Sequence, residues 1–244
     1  MRRIFLNIIV LVSLVAGMAA CSKNGDNQPG PAHMRWINVT PGMAFDIYSN
    51  GENIYKNLQF DSSTGYASGL PSFYYLQIKQ SGTSDTVVNG RQQLQSGLYY
   101  SMFIVPDTLN GQISATKASA AIVTENAARP AIDTMKLRFY NFAPFSPAIN
   151  VVMTIDGRIN ASDTLRPFSQ RIFNDQSTYS SYSTYITLMA FNWKVHFYNA
   201  STSKLIDSFH YKFSSQTINT MYLKPVPGKS GADTFDYKVI QTGY

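Results

Sequence analysis

Cysteine occurs once in the 244 residues, at Cys21, so no disulfide can close within the chain and no thiolate cluster can hold a metal. Glutamate is nearly as scarce, with Glu52 and Glu125 the only two. A chain so poor in a strong helix former does not read as helical. With the twelve aspartates dispersed as well, no pair of carboxylates stands out for acid–base chemistry. Three histidines, His33, His196 and His210, offer little to a zinc site that needs three or four ligands. Phosphate-loop and calcium-loop patterns are missing. After Arg2-Arg3 every lysine and arginine stands singly except for the spaced pair at Lys136 and Arg138, which leaves no electrostatic footprint for nucleic acid. These absences exclude most enzyme classes and imply no cofactor and no metal.

One apolar run exists, and it is short. Ile4 to Ala20 carries no charge behind Arg2 and Arg3; as a helix it spans roughly 25 Å, less than the hydrocarbon core of about 30 Å. A basic start, a short apolar middle and the small pair Ala19-Ala20 form the layout of a secretory signal peptide. Leu14 to Cys21 (LVAGMAAC) further resembles the bacterial lipoprotein signal, in which a peptidase cuts before the cysteine and the sulfur carries a diacylglyceryl group. Met18 is the departure from that pattern, and an ordinary signal peptide with an incidental cysteine is the alternative. The resemblance implies a signal peptide over 1–20, lipidation of Cys21, and a cell-envelope location with the outer membrane as the expected site. Two acyl chains suffice for stable anchoring. Without residues 1–20, 18 basic residues face 14 acidic ones, a net charge of +4.

Residues 21–33 are polar and rich in Gly and Pro, which reads as a flexible tether. Lys23 and Asp26 are a sparse counterpart of the charged patch that directs Bacteroidetes lipoproteins to the cell surface, so periplasmic and surface facing both stay open.

The remainder is strand language, rich in Tyr, Phe, Thr, Ser and Val. In Ala148 to Ile155, the residues Ile149, Val151, Met153 and Ile155 share one face; in Trp193 to Asn199, Trp193, Val195 and Phe197 oppose Lys194, His196 and Tyr198. Similar runs are 73–79, 98–105, 217–224 and 235–241. Asn50-Gly51, Asn89-Gly90, Asn110-Gly111 and Asp156-Gly157 are expected hairpin turns. The fold class predicted is all-β: two tandem immunoglobulin-like antiparallel β-sandwiches, over 34–127 and 128–244, with the joint in Glu125 to Thr134.

The chain also repeats itself. Arg35 to Gly51 (RWINVTPGMAFDIYSNG) matches Arg138 to Gly157 (RFYNFAPFSPAINVVMTIDG), and Leu94 to Pro106 aligns on Phe213 to Pro225. Extra residues fall around Asn160 to Tyr179 in the second copy. An opening strand R-x-x-N-x-x-P, an Asp- or Asn-bearing aliphatic strand and a glycine turn resemble the DUF4397 family, carried here by Arg35, Asn38, Pro41, Asp46 and Gly51, then Arg138, Asn141, Pro144, Asn150 and Gly157. Thr40-Pro41-Gly42 and Ala143-Pro144-Phe145 lack the acid that usually follows the proline. The resemblance implies β-sandwich repeats in an exported bacterial protein and no catalytic residue.

Seven of the twelve aspartates are followed by Ser or Thr, where composition predicts about two. Asp85-Thr86-Val87, Asp107-Thr108-Leu109, Asp133-Thr134-Met135 and Asp163-Thr164-Leu165 resemble the acceptor of Bacteroidetes O-glycosylation, which makes Thr86, Thr108, Thr134 and Thr164 candidate sites. The plainer reading is that Asp ends turns and Thr starts strands. His196 and His210 are expected to face each other across one hairpin, as surface imidazoles. The aromatic runs Ser72 to Leu76 and Thr178 to Tyr185 could stack on sugars, with core or edge packing the favoured use. The function expected is a non-enzymatic, lipid-anchored binding or spacer module, for a glycan or an envelope protein partner; the alternative is a structural subunit of a surface assembly or adhesin.

Overall fold

The computed structural model describes residues 30–125, 128–155, 164–229 and 235–242. Cys21, the signal segment and most of the tether lie outside them, as does Asp156-Gly157. No helix among the described residues is long and apolar enough to cross a membrane.

Sixteen strands among the described residues fall into four four-stranded sheets. The first unit contains β1 (Ala32–Asn38), β2 (Phe45–Ser49), β3 (Glu52–Leu58), β4 (Ala67–Gly69), β5 (Ser72–Gln80), β6 (Thr86–Leu94), β7 (Tyr99–Leu109) and β8 (Gln112–Thr124). They pair in the orders β4-β1-β7-β8 and β3-β2-β5-β6. The second contains β9 (Thr134–Asn141), β10 (Ile149–Ile155), β11 (Thr164–Arg171), β12 (Ile186–Met189), β13 (Asn192–Asn199), β14 (Leu205–Lys212), β15 (Ile218–Pro225) and β16 (Phe235–Thr242). Their orders, β12-β9-β15-β16 and β11-β10-β13-β14, are those of the first unit with every strand advanced by eight. Two short 3-10 turns, Asp175–Ser177 and Ser180–Ser183, lie between β11 and β12.

The all-β sandwich reading holds, with two differences of detail. The opening strand of each unit runs parallel to its neighbour, β1 to β7 and β9 to β15, while the other pairings are antiparallel. A parallel neighbour must be reached by a long connection, and here the intervening strands of the other sheet supply it. Asn89-Gly90 is not a turn: both residues sit inside β6, opposite Gln77 and Leu76. Asn50-Gly51 and Asn110-Gly111 do turn, with φ of 50° and 86°, and of 52° and 74°, the left-handed pair a tight hairpin requires. β1 begins at Ala32, inside the stretch expected as tether, because the Ala32 methyl is fully buried and His33 stacks on Tyr99 with ring centroids 4.2 Å apart.

Each unit fills the space between its own two sheets. Trp36, Phe45, Ile47, Ile78 and Met102 pack in the first, and Phe139, Val151, Trp193, Phe197 and Phe209 in the second. A third apolar cluster joins the units: Ile37, Val39, Phe103, Val105 and Val123 meet Tyr140, Phe142 and Tyr222. Sheets β4-β1-β7-β8 and β12-β9-β15-β16 are therefore covered on both faces, which makes the molecule a four-layer stack. That explains β15, where all eight residues are buried; a strand covered on one face would alternate.

Candidate binding site

The repeated motif residues are the place to begin, and the structure gives each an architectural task. Asn38 Nδ2 donates to Met43 O and Leu58 O at 2.8 and 3.0 Å, and its Oδ1 accepts from Thr40 N at 2.8 Å. Asn141 does the same in the second unit, donating to Ser146 Oγ and Arg171 O and accepting from Ala143 N at 3.0 Å. Each asparagine thus ties down the loop that leaves the opening strand. Asp46 Oδ1 accepts the backbone N–H of Asn57 at 2.8 Å, and Asn150 Oδ1 accepts that of Gln170 at 2.8 Å. Asn57 and Gln170 have φ of 58° and 50°, so these side chains hold the irregular residue of the neighbouring strand.

The motif arginines converge on one carboxylate. Arg35 Nη2 lies 2.7 Å from Glu125 Oε1, and Arg138 Nη2 lies 3.1 Å from the same oxygen. Ser101 and Tyr66 donate to Glu125 as well. Arg35 Nε donates to Ser101 Oγ at 2.7 Å and Arg138 Nε to Thr220 Oγ1 at 2.9 Å. Burial would raise the Glu125 pKa, but Arg35 and then Arg138 outweigh it, and the carboxyl sits below its ordinary range. Tyr66 shifts upward through burial and the Glu125 charge. A buried carboxylate held by two guanidinium groups is a clamp across the junction, and the Ser101 and Tyr66 hydroxyls complete its hydrogen bonding. A second bridge, Asp61 with Lys224 and Lys238 at 2.7 and 2.9 Å, ties the units farther along.

At the far end of the junction the two proline loops come together. Pro41 and Gly42 from the first unit, Phe145 from the second, Ile113 and Ser114 of β8, and Lys229 after β15 line an open cleft of about 410 Å³, within the usual size of a ligand site. Its chemistry is mixed: an aromatic ring, aliphatic walls, a hydroxyl and one ammonium. No group of three or more His, Cys, Asp or Glu that could hold a metal gathers among the described residues. The cleft follows β1 at its C-terminal end, so seven strand residues at about 3.3 Å each, roughly 20 Å, separate it from the end where the chain enters at Ala32.

The other residues expected from sequence are scattered. Thr86 and Thr164 are exposed first residues of β6 and β11, and Thr108 is exposed near the end of β7. Thr134 opens β9 half-buried, and its hydroxyl donates to Ala131 O at 2.8 Å. Thr86, Thr134 and Thr164 each open a strand, as the plainer reading expects of the threonine. His196 and His210 share the β13–β14 hairpin but do not pair: His210 is opposite Lys194 and His196 opposite Ser208. The register sets them diagonally, with His210 two residues along β14 from the partner of His196. Burial, Lys194 and His210 all lower the His196 pKa. In the run 178–185, Tyr182 and Tyr185 cover Arg171 and Arg138 at 4.4 Å each, which is packing. Of the three rings in the run 72–76, only Tyr74 turns inward; Phe73 and Tyr75 point outward.

The DUF4397 family model, described as Domain of unknown function (DUF4397), matches residues 32–152, a stretch that includes the whole first unit and the motif residues Arg35 to Gly51. No curated protein matches the chain. Among solved structures, the chain is similar to CBMbc (family CBM26) from Eubacterium rectale Amy13K, crystallised in complex with maltoheptaose, at 11% identity and a TM-score of 0.23, with 87% of this chain and 98% of that chain covered.

Proposed function

We propose that this is a lipid-anchored, non-catalytic binding protein of the bacterial cell envelope, in which two DUF4397-type sandwiches act as one rigid body. Cys21 carries the lipid and residues 22–31 span to β1. The cleft between the proline loops takes the ligand, a glycan or a segment of a partner protein. The observation that carries this reading is the placement of the cleft at the end of β1 opposite the chain entry, which would point it away from the bilayer. The scaffolding tasks of the motif residues support it too, since Asn38, Asn141, Arg35 and Arg138 are each spent on loops or on the junction. Thr86, Thr108 and Thr164 would be accessible to an O-glycosylation system, and Thr134 less so.

Fractionation of the native host tests the anchor. Wild-type chain should sediment with membranes and show an intact mass above that of the polypeptide from Cys21, while Cys21→Ser should appear in the soluble fraction. Protease shaving of whole cells then decides between surface and periplasmic facing. Pull-downs with wild-type and Phe145→Ala protein test the cleft, with capture lost in the variant. An alternative as a subunit of a surface assembly would rest on β8, thirteen residues long at the edge of its sheet; self-association in sedimentation velocity would favour it.

A further inference from the structure

The outward face of the sheet β3-β2-β5-β6 carries a second, chemically distinct surface. Alternation along β5 sends Tyr74, Leu76 and Ile78 inward and Phe73, Tyr75, Gln77 and Lys79 outward. The pairing then builds rows. Gln77 stands opposite Tyr48 on one side and Asn89 on the other; Tyr75 is opposite Arg91, and Phe73 opposite Gln93. Phe73 is 54% and Tyr75 42% exposed, unusual for rings that have a core beneath them to fill. The side-chain amides of Gln77, Asn89 and Gln93 make no hydrogen bond to the rest of the protein among the described residues, and Tyr75 meets no other ring or cation there.

Two cations of this face each lie against a ring. Lys79 Nζ sits over the Tyr48 ring at 4.6 Å and Arg91 over Phe73 at 4.9 Å, each held by the ring quadrupole. The carboxylate of Asp46 is occupied by Ser81 Oγ at 2.6 Å and by Asn57 N. What remains for a ligand is a ring flanked by neutral donor–acceptor amides. With strands about 4.8 Å apart and alternate residues about 6.8 Å apart, the platform from Tyr48 to Asn89 and Phe73 to Gln77 covers roughly 10 by 14 Å. That is far below the roughly 800 Å² per partner of a stable protein interface, and its rings are separated by amides instead of forming one apolar patch. A polyhydroxylated chain fits better: the apolar face of a sugar ring can lie on an aromatic face, and its hydroxyls both donate to and accept from amides.

We propose that Tyr75, with Gln77 and Asn89, forms a binding platform for a neutral polysaccharide on the outer face of the first sandwich. The second sandwich provides an internal contrast. Its strand β13 occupies the place of β5, and there the registers put Lys194 and His196 where the first unit has Tyr75 and Gln77. The platform belongs to one unit alone.

Affinity electrophoresis of the full chain in detergent micelles, through gels containing amylose, xylan, galactomannan or alginate, tests this. At least one neutral polymer should retard the protein. Tyr75→Ala should weaken that retardation by about tenfold or more, Gln77→Ala with Asn89→Ala should weaken it too, Tyr75→Trp should keep it, and Lys194→Ala should leave it unchanged. Far-UV and thermal unfolding profiles of the variants should match wild type, since these side chains are on the surface. Retardation by no neutral polymer, retardation by alginate alone, or retardation that survives Tyr75→Ala would overturn the proposal. So would loss on Phe145→Ala with Tyr75→Ala unaffected, which would move the sugar to the cleft.

Discussion

Arg138, fully buried in the second unit, reaches Glu125 at the end of the first at 3.1 Å, on the oxygen that Arg35 already holds. One carboxylate therefore compensates two buried guanidinium groups, one from each copy of the motif. Removing one partner from a buried pair leaves charge without compensation and typically costs about 3–5 kcal/mol. Glu125→Gln should lower stability by about that amount in urea unfolding, and lower Tm by roughly 10 °C for a chain of this size. A change under 1 kcal/mol would mean that the clamp is not what joins the units.

The same carboxylate sets an acid limit. Its folded pKa is depressed, net of burial, by Arg35 and Arg138, so the unfolded chain takes up the proton more readily. The stabilisation is complete above the ordinary carboxylate pKa of about 4.3 and is lost as pH falls through the depressed folded value. His196, depressed by burial, Lys194 and His210, adds a milder loss that begins as pH falls below about 6.5. Unfolding free energy measured from pH 8 downward should fall gently first and steeply below about pH 4, and Glu125→Gln should flatten the steep part. A wild-type profile flat to pH 3 would contradict this.

Much of this fold is legible in the sequence, and the limits have physical causes. Alternation in 148–155 and 193–199 shows the inward residues of β10 and β13 because only one face of those strands is covered. It fails for β15, where Asn219, Thr220 and Lys224 are buried along with Met221 and Leu223; the second covering layer comes from the other unit, and a local pattern carries no record of it. Asn89-Gly90 reads as a turn because those residues tolerate one, yet pairing with Leu76 and Gln77 keeps it extended. The motif arginines can be found from sequence, but their shared partner cannot, although the rarity of glutamate hints that Glu125 has a task. The cleft is invisible at that stage because it is made of loops from two copies, with Pro41 and Phe145 meeting only once the units dock.

Asn38 and Asn141 offer a paired test of that loop architecture. Each is fully buried and satisfies backbone groups that would otherwise be orphaned. Alanine at either position leaves a buried N–H without its acceptor, at about 1–3 kcal/mol. Both variants should therefore be destabilised to a similar extent by chemical denaturation. Asn38→Ala should also weaken cleft binding, since the asparagine positions Pro41 and Gly42. Equal stability loss with untouched cleft binding would separate the loop from the ligand site.

Phe103 should report on whether the two sandwiches unfold together. Its ring lies 4.8 Å from Phe142, 5.4 Å from Tyr222 and 5.8 Å from Tyr140, so every one of these contacts crosses the junction and none belongs to a single sandwich core. Phe103→Ala should cost about 3–5 kcal/mol, but the loss falls on the coupling between units. Calorimetry should then resolve two transitions where wild type shows one. Phe197→Ala, which removes a ring of similar size from inside the second sandwich, should weaken that unit while the junction stays intact, and a single transition should shift downward. Two transitions in both variants, or in neither, would mean that Phe103 does not govern the coupling.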